Sequence, residues 1–219
     1  MTDTYNFFSI PTQEYLSKKI KLDLPLGGRS QEIHAQEHKK CIWLTLTNAS
    51  TSTPFTRNAF KADPDAGHVS FQLTEQDQLA IQNVDAQVYE LVLLQERYKN
   101  VEQVRLTPRT WEQMFRRSMY GGVIKVAVNK SSVAFFDKDK NVLNNSTEQD
   151  TPDKLWNYLG QDTKVNIVLE PTMLWFMNRK AGISWTLKQV RFLEDPKLQE
   201  SSGNNSYANW QLEDDDDDE

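Results

Sequence analysis

Three strand-like runs crowd the end of the chain's body, and any fold must find partners for their backbones. Lys164 to Glu170, Met173 to Met177 and Ile183 to Leu193 are rich in β-branched and aromatic residues, which suit a pleated, half-buried surface. The last two are joined by Asn178-Arg179-Lys180-Ala181-Gly182, a loop of hairpin length containing glycine. Alternation along the second run puts Met173, Trp175 and Met177 on one face and Leu174 and Phe176 on the other. Upstream, Cys41 to Thr47, Val123 to Asn129 and Val133 to Phe136 also read as strands. Open edges invite association, so seven or so strands are most economically hidden in a closed or partly open barrel.

Two helices interrupt this pattern. Thr107-Pro108 supplies an N-cap and a proline at the first helical position, and Gly121 stands where a C-terminal glycine belongs. Between them Trp111, Met114, Phe115 and Met119 recur at helical spacing, and Trp111 reads as core. Thr151-Pro152 to Gly160 repeats the signature over a shorter span, enclosing Leu155, Trp156 and Leu159. Thr74 with Asp77 resembles another N-cap box. From Leu79 to Leu94 the chain suits either a helix or a buried strand over Val88 to Leu94, and a short helix followed by a strand is expected. Asn48 to Pro54, rich in Ser and Thr, reads as a loop, and Asp63-Pro64-Asp65-Ala66-Gly67 as a turn.

Charge divides the chain. The 219 residues carry 25 bases and 31 acids, a net −6, but residues 213 to 219 alone are seven acids: Glu213, Asp214, Asp215, Asp216, Asp217, Asp218 and Glu219. Without them the balance is 25 against 24. From Arg97 to Lys130 eight bases face two acids. Glu200 begins a stretch of Ser, Gly and Asn that cannot bury a core and reads as a flexible linker. The expected organisation is one domain over 1–199, with 1–40 as an N-terminal extension containing a turn at Pro25-Leu26-Gly27-Gly28, then linker and acidic tail over 200–219.

The single cysteine, Cys41, allows no internal disulfide and points to a reducing, intracellular compartment. No apolar run approaches the ~18 residues of a membrane span, and Met1 to Asn6 lacks the basic start of a signal peptide. The phosphate-loop, nucleophile-elbow and H-E-x-x-H signatures are absent, so no enzyme activity and no cofactor are expected. His34, His38 and Cys41 are spaced H-x3-H-x2-C, with His68 the remaining histidine. Zinc would suit such ligands, but a polar exposed segment explains them as well. Asp63, Asp65 and His68 invite comparison with a metal-dependent nuclease, although the aspartates fit a turn better.

Bases interleaved with aromatics are the more specific signal. Arg97-Tyr98-Lys99, Arg109 with Trp111, Arg116-Arg117 with Tyr120, and Trp175 with Arg179-Lys180 and Trp185 each place a ring near a cation. Single-stranded nucleic acid uses both: cations neutralise phosphates, and flat rings stack on unpaired bases. The expected phosphate contacts are Arg97, Lys99, Arg109, Arg116, Arg117, Lys125, Arg179, Lys180 and Lys188, and the expected stacking rings Tyr120, Trp175 and Trp185. A tethered run of carboxylates can compete for the same surface or dock onto basic proteins. The rival reading is a protein-interaction or transcription-accessory module whose basic patch meets an acidic partner.

Val165-Asn166-Ile167-Val168-Leu169-Glu170-Pro171, Leu174-Trp175-Phe176 and Lys180-Ala181-Gly182-Ile183-Ser184-Trp185-Thr186-Leu187-Lys188-Gln189-Val190 together resemble the final hairpin of phage and large-DNA-virus single-stranded DNA-binding proteins. The acidic terminus after a linker fits the same group. The resemblance covers about thirty residues of hairpin and about twenty of tail. It implies a β-dominated α+β, OB-like partly open barrel with two short inserted helices and a disordered acidic tail. It implies single-stranded DNA as ligand, a role in replication and recombination, and polymerase- or helicase-type partners for the tail, and it leaves room for a homo-oligomer. One departure stands out: such tails often end in an aromatic residue, whereas this chain ends in Glu219 with Trp210 upstream of the acids.

Overall fold

The computed structural model describes residues 20–23, 30–35, 43–94, 100–101, 104–143 and 152–194. Its strands are β1 (Ile20–Asp23), β2 (Ser30–Ala35), β3 (Leu44–Arg57), β4 (Ala66–Gln72), β5 (Asn100–Val101), β6 (Val104–Arg105), β7 (Phe115–Arg116), β8 (Met119–Tyr120), β9 (Val123–Asn129), β10 (Ala134–Phe136), β11 (Lys164–Met177) and β12 (Lys180–Phe192). The helices are α1 (Glu75–Leu94), α2 (Pro108–Met114) and α3 (Pro152–Tyr158).

Five strands form a ring. β11 pairs with β3, β3 with β4, β4 with β9 and β11 with β12, all antiparallel, and a single parallel register, Thr186 opposite Ala127, closes β12 onto β9. This is an OB-like, β-dominated α+β fold, with an irregular ring in place of a regular barrel. β1 and β2 extend it at β11, so the polar N-terminal region contributes two strands to the sheet. The proposed turn at Pro25 to Gly28 lies outside the described residues.

Strand direction fixes which tips share an end. β9 and β12 run parallel, so the β8–β9 turn and the β11–β12 turn lie at the same end. β4 runs against β9 with Ala66 opposite Asn129, which puts the β3–β4 connection at the other end.

Several sequence expectations change. The Ser/Thr-rich stretch Asn48 to Pro54 belongs to β3: its threonines are β-branched, and Pro54 falls within a register irregularity between Thr53 and Thr56, where no ladder donor is required. Leu79 to Leu94 is helical throughout, because Ala80, Ile81, Val84, Val88 and Val92 make one buried stripe of helical period. Thr107 and Pro108 do start a helix, with Thr107 and Thr110 forming a reciprocal cap, but it ends at Met114. Gly121 and Gly122 instead form a two-residue hairpin turn with φ of 57° and 76°, the signature of a type I′ turn. β11 runs unbroken through Pro171, and the β11–β12 turn shrinks to Asn178 and Arg179.

The core inside the ring includes Leu44, Leu46, Val69, Phe71, Ile124, Val126, Ile167, Leu169 and Leu187, joined by the α1 stripe and by Trp111. Leu155, Trp156 and Leu159 around α3 are buried in the same cluster. Among the described residues no helix is long and apolar enough to cross a membrane.

Candidate nucleic-acid interface

Below the lone Thr186–Ala127 contact, β12 and β9 diverge, and the segment Phe115 to Tyr120 fills the gap. β7 pairs with β12 at Ala181 and Gly182, while β8 pairs with β9. A buried carboxylate holds this wedge. Asp85, on α1, accepts from the Ser118 backbone N–H at 2.9 Å and from the Ser118 hydroxyl at 2.5 Å. The same hydroxyl accepts from the Trp185 indole N–H at 2.8 Å. Burial pushes the Asp85 carboxyl above the ordinary carboxylate range, opposed by the Ser118 hydrogen bonds and the Arg117 charge. A second α1 carboxylate, Asp77, ties the helix to β3 by accepting from the Thr47 N–H at 2.8 Å. Burial raises it too, against bonds from Thr47 and Thr74.

The wedge brings distant residues into one row. Trp175 lies opposite Gly182, and Gly182 opposite Arg116; residues in register share a face. The Trp175 ring spreads over Gly182: a Cβ there would stand 2.7 Å from Cζ2 of the indole. Only glycine permits this approach. Trp175 is half-buried, Arg116 exposed, and Met173 and Met177 are exposed on the same side of β11. Leu174 and Phe176 face the core, as alternation predicts.

At the adjoining turn Arg179 and Lys180 are exposed. Asn178 and Arg179 both take positive φ, 52° and 57°. Asparagine tolerates that region and glycine prefers it, but an arginine there carries a strain of about 1 kcal/mol. Strained backbone often marks functional positions.

The remaining sequence candidates separate. Tyr120 is 93% exposed at the β8–β9 tip, at the same end as Arg179. Its turn is cramped, since a Cβ on Gly122 would meet the Gln72 and Gln78 side-chain amides at 2.5 and 2.8 Å. Arg117 is exposed but lies 5.9 Å from the ring centroids of both Tyr89 and Phe115. Arg109 is exposed on α2. Lys125 is exposed on the outer face of β9 opposite Ser70, and with burial it lowers the His68 pKa on β4.

One candidate is corrected by its surroundings, and another is engaged by a neighbour. Trp185 is 2% exposed and belongs to the core, so neither ring face is open to a base. Lys188 forms a 2.6 Å ion pair with the nearly buried Glu170, so its charge is already answered. Trp111 is fully buried, packed on Phe115 and Phe176, with its N–H donating to the Tyr89 carbonyl. Arg97, Lys99 and the acidic tail, Glu213 to Glu219, lie outside the described residues, as do His38, Cys41 and the His34 side chain.

Among the described residues no group of three or more His, Cys, Asp or Glu could hold a metal ion. Asp63 accepts from the Asp65 N–H and the Asn129 amide, the work of a turn residue. One further ring, Phe60, is completely exposed at the β3–β4 connection, between the exposed cations Arg57 and Lys61 in sequence. Base and aromatic interleave there as they do from Arg97 to Tyr120.

No protein-family model matches the sequence, and no curated protein matches it. Solved structures do. The fold is similar to the single-stranded DNA-binding protein from bacteriophage Enc34, at 12% identity and a TM-score of 0.47, covering 86% of this chain and 98% of that one. That phage protein in complex with single-stranded DNA matches at 13% identity and 0.47, covering 82% and 98%. A single-stranded DNA-binding protein encoded by bacteriophage T7 matches at 14% identity and 0.43, covering 80% and 97%.

Proposed function

We propose that the chain is a non-catalytic, largely sequence-independent single-stranded DNA-binding protein acting in replication and recombination. The row of Trp175, Gly182 and Arg116 carries the reading: an indole spread on a glycine, a guanidinium one strand away, and Arg179 and Lys180 at the adjoining turn. An unpaired base stacks on such a ring for ~1–3 kcal/mol, while the cations displace counterions from the phosphates. Bases within a duplex offer no free face to the indole. Arg109, Arg117 and Lys125 extend the basic surface, and Tyr120 offers a second ring. Arg97 and Lys99 belong to the same basic stretch of sequence.

The acidic tail acts as a tethered competitor for this surface, at an effective concentration on the order of mM for a short flexible link. Released by long single strands, it becomes available to basic replication partners of polymerase or helicase type. Deleting residues 213–219 should tighten DNA binding at low salt; unchanged affinity would leave the tail only a docking or solubilising role.

Titration of oligo-dT with tryptophan fluorescence as readout tests the central reading. The expected result is quenching, with affinity falling steeply as salt rises, by about 0.7 in log–log slope for each phosphate contact made. A flat titration at low salt overturns it in favour of a protein-binding basic patch. Cleavage of labelled strands with magnesium or manganese would move the assignment to a nuclease.

A further inference from the structure

We propose that the β3–β4 connection carries a second base-stacking site, with Phe60 as the ring and Arg57 and Lys61 as its phosphate contacts, so that single-stranded DNA spans the ring of strands from one end to the other. The proposal rests on the single-stranded DNA reading above and extends it to a surface that reading does not use.

Phe60 and Tyr120 are, among the described residues, the two rings more than nine-tenths exposed, at 100% and 93%. They occupy opposite ends of the strand ring, and Phe60 stands in sequence between the exposed Arg57 and Lys61. Phe60 is not on a slack loop. Its own N–H donates to the Asn58 side-chain oxygen at 3.0 Å, and the Lys61 N–H donates to the Asn58 carbonyl at 3.1 Å. The Asn58 N–H reaches the Ala66 carbonyl at 2.9 Å, and the Lys130 N–H reaches the Asp65 carbonyl at 3.0 Å, fixing the tip to both flanking strands. With the backbone beneath it fixed, the exposed ring keeps its place at the tip when a base settles on it. The two carboxylates of the tip, Asp63 and Asp65, follow Lys61 in the turn, where Asp63 is engaged by Asn129 and by the Asp65 N–H.

The surface between the two ends suits an extended strand. On the outer side of the ring, Thr56 lies opposite His68, His68 opposite Ala127, and Ala127 opposite Thr186, with Lys125 two residues along β9. Small and hydroxyl side chains leave the backbone approachable, and Lys125 supplies charge midway. From Gly182 to Thr186 along β12, then from Ala127 to Lys130 on β9, the separation of the two stacking ends is about 23 Å at 3.3 Å per residue.

An oligo-dT ladder of ~4 to ~20 nucleotides, bracketing the ~4–16 that one OB fold covers, tests the proposal on the full chain. Phe60→Ala should bind the shortest oligomers as the wild type does and lose about 5-fold or more on the longest. Phe60→Trp should restore long-oligomer affinity, with its added fluorescence quenched only by long strands. Phe60→Ala binding every length like the wild type overturns the second site while leaving Trp175-dependent binding intact. A uniform loss at all lengths also overturns it, because Phe60 would then belong to the first site. Wild-type protein that binds no oligomer removes the parent reading, and this proposal with it.

Discussion

The two ends of the strand ring present the same ingredients, an outlying aromatic and two or more cations, but support them differently. At the hairpin end Trp175 is spread on Gly182, and the strand carrying Arg116 is wedged in place by the buried Asp85–Ser118–Trp185 chain. At the loop end Phe60 stands clear of the core on a turn held by local hydrogen bonds. Where a ring is backed by the fold, binding and stability share the same residues. Where it stands free, the ring can change without cost to the fold.

Asp85→Ala should break the comparison most severely. Removing the acceptor leaves the part-buried Ser118 N–H unsatisfied and frees the wedge, at about 2–4 kcal/mol of unfolding free energy. Urea denaturation should show that loss and oligo-dT titration a parallel drop in affinity, whereas Phe60→Ala should leave the urea midpoint unmoved. Next in size, Trp175→Ala should weaken oligo-dT binding at every length by ~1–3 kcal/mol, in contrast to the length-dependent loss at Phe60. Equal losses from the two variants on short oligomers would erase the distinction between the ends.

Arg179→Gly sharpens the contrast within the hairpin end. Relief of the left-handed backbone should stabilise the protein by roughly 0.5–1 kcal/mol, while the salt slope of DNA binding falls by about 0.7, one phosphate contact fewer. Stability and binding moving in the same direction would show that the arginine is not held there for a ligand.

The smallest effect is a pH slope. Burial raises Asp85 above the ordinary carboxylate range, so the folded protein binds that proton more readily than the unfolded chain. Its contribution to stability is therefore greatest at low pH and falls as pH rises from the ordinary range to the raised folded value, then stays level. Asp85→Asn removes this dependence, so the stability of the wild type relative to the variant should decline with rising pH across the acid window. A relative stability that grows with pH would mean that the Ser118 hydrogen bonds outweigh burial.

Much of the architecture was legible in residue pattern. Thr107-Pro108 marked a helix start, and alternation sorted Met173, Trp175 and Met177 from Leu174 and Phe176. Local pattern failed where a segment's partners lie far away. Val88 to Leu94 suits a strand by composition, and only the stripe begun at Ala80 makes it helix. Trp185 and Trp175 look alike in sequence, ten residues apart on facing strands. One donates into a buried chain reaching α1, and the other covers a glycine at the surface.

The amino-acid order by itself determined the strand-rich class, the hairpin, the helix start at Thr107-Pro108 and the split between a basic stretch and an acidic terminus, because each depends on neighbours within a few residues. Tertiary structure alone decided which ring faces outward, which lysine is already paired and which tips share an end. Those depend on ring closure and register between strands more than a hundred residues apart, such as Leu46 opposite Ile167. Short-range propensity carries no information about such pairings; the burial of side chains selects them.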